Sequence, residues 1–215
     1  TILAAPGYDR ATGIMYRPST TYPLIPDGPT KQDIWNAIGI IEDVISEFKF
    51  ESLAHKTGFY AAVLTPLARS AFKGPAPLFL FDAPVAGAGK GKLAKIAAIV
   101  ATGRLPAIAT FPGEEEERRK AITTYALEGC RLVNFDNVTG RLGGAALCKA
   151  LTEETWADRI LGETRQWSGP MLIVFFATSN NAMLGADMDR RVVHSRIDPG
   201  VENPERLSFK PRFVN

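Results

Sequence analysis

Little in this chain points to an oxidising compartment, a membrane or a blanket of charge. Its only cysteines among 215 residues, Cys130 and Cys148, lack metal-type spacing, and each sits in an apolar stretch (EGCRLV and AALCKA). They read as buried reduced thiols. The two histidines, His55 and His194, have no ligand partner at metal spacing and are expected to be structural. Net charge is only +2, which excludes a strongly basic coating protein but leaves room for a local basic patch. The longest apolar run, Met171 to Ala177, falls far short of the ~20 residues of a spanning helix. No signal peptide is visible, so a cytoplasmic location is expected. A start at Thr1 fits a piece of a longer protein.

What is present is ordinary globular material, 46% hydrophobic and 22% charged, too apolar for disorder. The length suits one sizeable α/β domain, or a core domain with a small appendage. Residues 1–30 are rich in proline and glycine and read as an irregular or short-stranded lead-in. Thr30 with Asp33 gives an N-cap signal. Ile34, Ile38, Ile41 and Ile45 then recur at helical spacing, so a helix is expected to about Phe48. A second helical stretch runs from Glu51 to Phe72, disturbed near Pro66.

After Lys73-Gly74-Pro75 the character changes, and a domain boundary is expected near residue 74. Residues 1–74 would form the lead-in and a small helical segment, and residues 75–215 the core. Leu78–Phe81 suits a buried strand. A glycine-rich loop from Pro84 to Gly89 follows, then a helix ending at Gly103. Further strands are expected at Ala107–Thr110, Leu132–Phe135, Met171–Ala177 and Val192–Ile197. Helices are expected at Glu114–Glu128 and Ala145–Leu151. Such alternation predicts a mostly parallel five-stranded sheet flanked by helices.

The strongest chemical signal lies in Pro84, Val85, Ala86, Gly87, Ala88, Gly89, Lys90, Gly91 and Lys92. A phosphate-binding P-loop needs a strand, a loop whose amides point inward, and a helix opening at a lysine. Gly87 and Gly89 let backbone approach phosphate, the helix start offers unpaired amides, and Lys90 adds a charge that can follow a γ-phosphate. Two positions depart from G-x-x-x-x-G-K-[ST]. Pro84 replaces the first glycine, and Gly91 replaces the magnesium-binding hydroxyl. Downstream, RLVNFDN has the form of an apolar strand ending in an acid, where Asp136 would hold Mg2+ through water. Asn137 follows it where many such ATPases place a glutamate, and an amide orients water without accepting its proton. Asn180, after the next strand, is placed to touch attacking water and γ-phosphate, although asparagine is also an ordinary turn residue there. The Asp187–Arg191 cluster reads equally as a solvated charge group or as the source of an arginine for a neighbouring subunit's ATP. Glu114–Glu117 reads mainly as a solvated helix start.

Taken in order, APVAGAGKGKLA, RLVNFDNV, LTEETWADRILG, FFATSNN and DMDRRVVHSRID resemble the AAA+ ATPase domain of phage- and mobile-element primase-helicase-like replication proteins, related to helicase superfamily III. The opening PGYDRATGI resembles the segment that precedes the ATPase in that group, so the resemblance spans most of the chain. It implies a P-loop NTPase fold of AAA+ type that binds ATP and Mg2+, assembles as a hexameric ring and moves on DNA. It matches Lys90 and its loop to Walker A, Asp136 and Asn137 to Walker B, Asn180 to sensor 1 and Arg191 to the arginine finger. Arg191 is preferred to Arg190 by alignment alone. The segment Asp158–Pro170 would be a pore-facing hairpin with Arg159 or Arg165 on DNA phosphates. Most of the helical lid is missing, so no sensor 2 residue is assigned. The alternative is a nucleotide-dependent assembly module with little hydrolysis, which Gly91 and Asn137 favour. A small-molecule phosphotransferase would need a substrate pocket and lid that the sequence does not display.

Overall fold

The computed structural model describes residues 3, 5–18, 23, 26–160, 165–185 and 187–206. Its contacts divide the chain into two compact units, Thr1–Ile45 and Ser46–Asn215. The first holds a two-stranded antiparallel hairpin, β1 (Gly7–Asp9) and β2 (Ile14–Tyr16), and the helix α1 (Lys31–Ile45). Thr30 and Asp33 cap α1 reciprocally. The Thr30 amide donates to Asp33 Oδ2 at 2.8 Å, and the Asp33 amide donates to Thr30 Oγ1 at 3.2 Å. Aspartate thus does the work of the usual glutamate in a capping box.

The second unit begins well before the boundary near residue 74 that composition suggests. Its first helix, α2 (Leu53–Ala68), packs against elements of the sheet rather than belonging to a separate segment. Ser52 caps α2, which runs through Pro66 and stops within a turn. Then come β3 (Leu78–Ala83), α3 (Lys90–Thr102), β4 (Ala107–Ala109), α4 (Glu115–Leu127), β5 (Leu132–Val138), β6 (Arg141–Leu142) and α5 (Ala145–Ala150). They are followed by β7 (Thr155–Arg159), β8 (Gln166–Pro170), β9 (Val174–Asn180), β10 (Met183–Leu184) and β11 (Val192–Arg196). Strands β3, β4, β5, β9 and β11 form one all-parallel sheet in the order β11-β3-β9-β5-β4. The expected five-stranded α/β sheet is therefore present. The strand expected at Met171 starts at Val174 instead.

Alternation along the central strands explains why both sheet faces are covered. Leu78, Leu80, Val133, Phe135, Phe175 and Ala177 share a core with Ile122 of α4, Leu147 of α5 and Trp156 of β7. Their alternates Phe79, Phe81 and Phe176 stack edge-to-face with centroids 5.3–5.8 Å apart. Helices α2 and α3 contact the sheet elsewhere along these strands, with Phe59, Leu93, Ala94 and Ala97 buried. The cysteines differ from expectation: both are free but only half-buried. Among the described residues no helix is long and apolar enough to cross a membrane.

Candidate functional site

Parallel strands leave a crevice outside their carboxyl ends, where ligands of open α/β sheets bind. Three such ends converge here. β3 runs into the glycine-rich loop, β5 ends in Asp136 and Asn137, and β9 ends in Asn180. Backbone pairing sets Ala83 of β3 beside Asn180 of β9, so the loop and that asparagine share one edge. Asn181 fastens them further: its amide donates to Ala83 O at 3.0 Å and its Nδ2 to Pro84 O at 3.1 Å.

The loop's two inner glycines have different constraints. Gly87 has φ +74°, and a Cβ there would lie 2.8 Å from Glu205 Oε2 in the 3-10 turn Pro204–Arg206. Gly89 has φ +95°, and a Cβ there would lie 3.0 Å from the Phe48 ring. Left-handed backbone and close neighbours together demand glycine at both positions. Helix α3 opens at Lys90, whose Nζ donates to Asn180 Oδ1 at 2.7 Å. Burial pulls the Lys90 ammonium below the ordinary lysine range, while Asp136 and Asp82 pull it back toward the charged form. An anion held at the loop would add to that second effect.

Asp136 faces the start of α3. A Cβ on Gly91 would lie 3.9 Å from Asp136 Oδ1, so position 91 and the acid address the same space. Asn137 sits beside it in the left-handed region, with φ 51°. A pocket of about 210 Å3 has Asn137, Thr139, Ser179, Asn180, Asn181 and Met183 among its lining residues. Among the described residues no group of three or more His, Cys, Asp or Glu side chains is arranged to hold a metal. A cation here would draw most of its ligands from phosphate and water, which suits the small number of protein ligands magnesium takes.

The sequence motifs thus bring Lys90, Gly91, Asp136, Asn137 and Asn180 together around Pro84–Gly89, with Lys92 in the first turn of α3. Arg191 stands apart. It immediately precedes β11, whose Val192 pairs with Leu78 at the start of β3, so it lies at the opposite end of the strands from the glycine loop. Its guanidinium donates to Asp187 O, and its Nε is buried without a partner among the described residues. Arg190 is the more exposed of the pair and meets Asp187 at 2.9 Å. Arg159 and Arg165 are exposed at the turn end of the β7–β8 hairpin, where Ile160 N–H donates to Arg165 O at 3.0 Å. Residues 161–164 of the expected hairpin lie outside the described residues, as do 207–215.

Three residues at the site escaped sequence reading. Asp82 is 1% exposed and accepts from Arg196 and, at 3.1 Å, from the Ala182 amide. His194 Nε2 is 3.5 Å away. Burial opposes its ionisation, but His194, the Ala182 amide and Arg196 outweigh it and hold the carboxyl below its usual range. Arg196 also donates to Asn181 Oδ1 at 2.8 Å, tying Asp82 to the loop clamp. Thr178, buried at 1%, bonds both Asp136 and the Asn137 amide. The hydroxyl in FFATSNN was the one visible hint of this last contact. His55 Nδ1 lies 3.0 Å from His194 O. Comparison with protein-family models and with curated proteins finds no match for this chain, so the geometry of the site alone bears on its chemistry.

Proposed function

We propose that the chain is a P-loop ATPase domain of AAA+ type, acting in DNA replication of a phage or mobile element as a helicase-like ring. The observation that carries this reading is the contact between Lys90 Nζ and Asn180 Oδ1 at 2.7 Å, beside an acid that faces the first turn of α3. A phosphate-loop lysine, a strand-end acid and a polar strand-end amide then surround one point. The sheet order supports it too, because β9 lies between the loop strand β3 and the acid strand β5. That order puts Asn180 between the lysine and Asp136.

The loop amides and the α3 start would cradle the β- and γ-phosphates, with Lys90 neutralising their charge. Lys90 would exchange Asn180 for a γ-phosphate oxygen. Asn180 would then be released to orient a water: as its oxygen bonds the γ-phosphorus, the bond from that phosphorus to the β–γ bridging oxygen breaks, ADP leaves, and the water's proton passes to a phosphate oxygen. Asp136 would hold water ligands of Mg2+, which supplies charge stabilisation to the phosphates when bound. Asn137 can orient the attacking water but cannot take its proton. Arg191 lies one strand length away, about 17 Å for six residues, so it serves only the site of another copy. Arg159 and Arg165 would contact DNA phosphates.

ATP binding and turnover, with and without single-stranded DNA, test this reading in the native chain and in Lys90→Ala. Binding and DNA-stimulated turnover that both vanish in the variant are the expected result. No binding by the native chain would overturn it. Lys90-dependent binding without turnover would favour the assembly module instead, a reading supported by the absent hydroxyl at Gly91 and the amide at Asn137.

A further inference from the structure

We propose that Thr178 is a positioning residue whose hydroxyl holds Asp136 and Asn137 in working orientation. This inference rests on the ATPase reading of the same site. Strand β5 is irregular at these two residues. From the pair Phe135–Ala177 to the pair Val138–Ser179, β5 advances three residues while β9 advances two. One extra residue on β5 makes a bulge, a device that re-aims side chains near functional sites. Asn137 takes up the left-handed backbone at φ 51°, a conformation that asparagine tolerates better than most residues.

Thr178 is the β9 residue opposite the bulge. Its Oγ1 lies 2.7 Å from the Asn137 amide nitrogen and 2.8 Å from Asp136 Oδ1. A backbone N–H only donates, so the hydroxyl must accept there, and its one proton is left for the carboxylate. One buried side chain therefore satisfies the amide freed by the bulge and fixes the rotamer of the acid beside it. Thr178 and Asn180 stand two residues apart on the same strand, hence on the same face. Strand β9 thus supports both halves of the site, Lys90 through Asn180 and Asp136 through Thr178. Ser179, on the opposite face, donates to Val138 O at 2.8 Å and closes the bulge from behind.

Thr178→Val keeps the shape and removes both hydrogen bonds, whereas Thr178→Ser keeps both. The first readout is amide hydrogen exchange at Asn137 in nucleotide-free protein. In Thr178→Val this amide should exchange roughly tenfold faster, the effect of losing about one hydrogen bond. The second readout is Mn2+ affinity in the presence of a non-hydrolysable ATP analogue, where support of a metal-site group typically amounts to roughly 10- to 100-fold. A loss of that size is expected for Thr178→Val, with kcat falling and KM for ATP held, and with Thr178→Ser close to the native chain. Native-like exchange and Mn2+ affinity in Thr178→Val would overturn the proposal, as would a Thr178→Ser defect equal to that of valine. Should Thr178→Val fail to fold, Thr178→Ala carries the same two comparisons. If the native chain binds no nucleotide, the ATPase reading fails, and the Asn137 exchange rates still decide whether Thr178 holds the bulge.

Discussion

Asp82 lies beneath the glycine loop, almost wholly shielded from water and paired with Arg196. Its folded carboxyl releases its proton more readily than the unfolded chain's does, through His194, the Ala182 amide and Arg196. The unfolded state therefore binds more protons in acid, and stability rises with pH across that range. The contribution should be complete above about pH 4 and disappear as pH falls through the lower folded value. Urea unfolding across an acid series should show this limb in the native chain and a shallower one in Asp82→Asn. Equal slopes would mean that Asp82 adds no charge-linked stability. Gly87 makes a second residue-scale case. Gly87→Ala must strain a backbone at φ +74° and displace Glu205, a cost of about 1–3 kcal/mol. Nucleotide affinity should drop with it. Unchanged melting and ATP affinity would show that the Pro204–Arg206 turn yields freely.

Among the elements, α2 is tied to the chain after it by Arg69, which is 3% exposed. Its guanidinium donates to Gly74 O and Met171 O, both at 2.6 Å, and to Phe72 O at 3.3 Å. It also lies over the Phe72 ring at 4.8 Å. Arg69→Ala leaves these carbonyls wanting and should destabilise the chain by about 3 kcal/mol, read from the urea midpoint. The β7–β8 hairpin is held just as firmly along β7. Trp156 Nε1 donates to Thr123 Oγ1 at 3.0 Å, Thr123 donates to Asp158 Oδ2 at 2.7 Å, and Arg119 pairs with Asp158. A hairpin anchored along β7, with two exposed arginines beside its turn, suits phosphate contact. Arg165→Ala should weaken DNA binding without regard to sequence and lower the salt slope by about one. An unaltered slope across a salt series would remove Arg165 from the DNA surface.

For the whole molecule, the sheet separates Lys90 from Arg191, one at each end of the strands. A site that needs both must draw them from different copies. Lys90→Ala and Arg191→Ala proteins should each be inactive as ATPases, yet regain turnover when mixed, because mixed contacts restore one intact site. Failure of the mixture while Arg190→Ala is inactive and complements would transfer the role to the more exposed neighbour. Full activity of both single arginine variants would exclude an arginine supplied by another copy.

The elements themselves were legible because their signals are local. Isoleucine spacing marked α1, the Thr30–Asp33 cap marked its start, and glycines before a lysine marked the turn from β3 into α3. Short apolar runs marked all five sheet strands to within a few residues. Sequence spacing also chose Lys90, which opens the helix after the glycine loop, and Asp136, Asn137 and Asn180, which sit at or near strand ends. Strand order, the side-by-side placement of Ala83 and Asn180, and the β5 bulge were not legible, because they depend on pairings between residues distant along the chain. Composition put a boundary near residue 74, but α2 carries its buried Phe59 and Val63 on the side of the later unit. Asp82 and Thr178 looked like ordinary strand residues for the same reason. Their importance comes from partners about forty to one hundred residues away in sequence, and only the folded sheet brings those partners within hydrogen-bond reach.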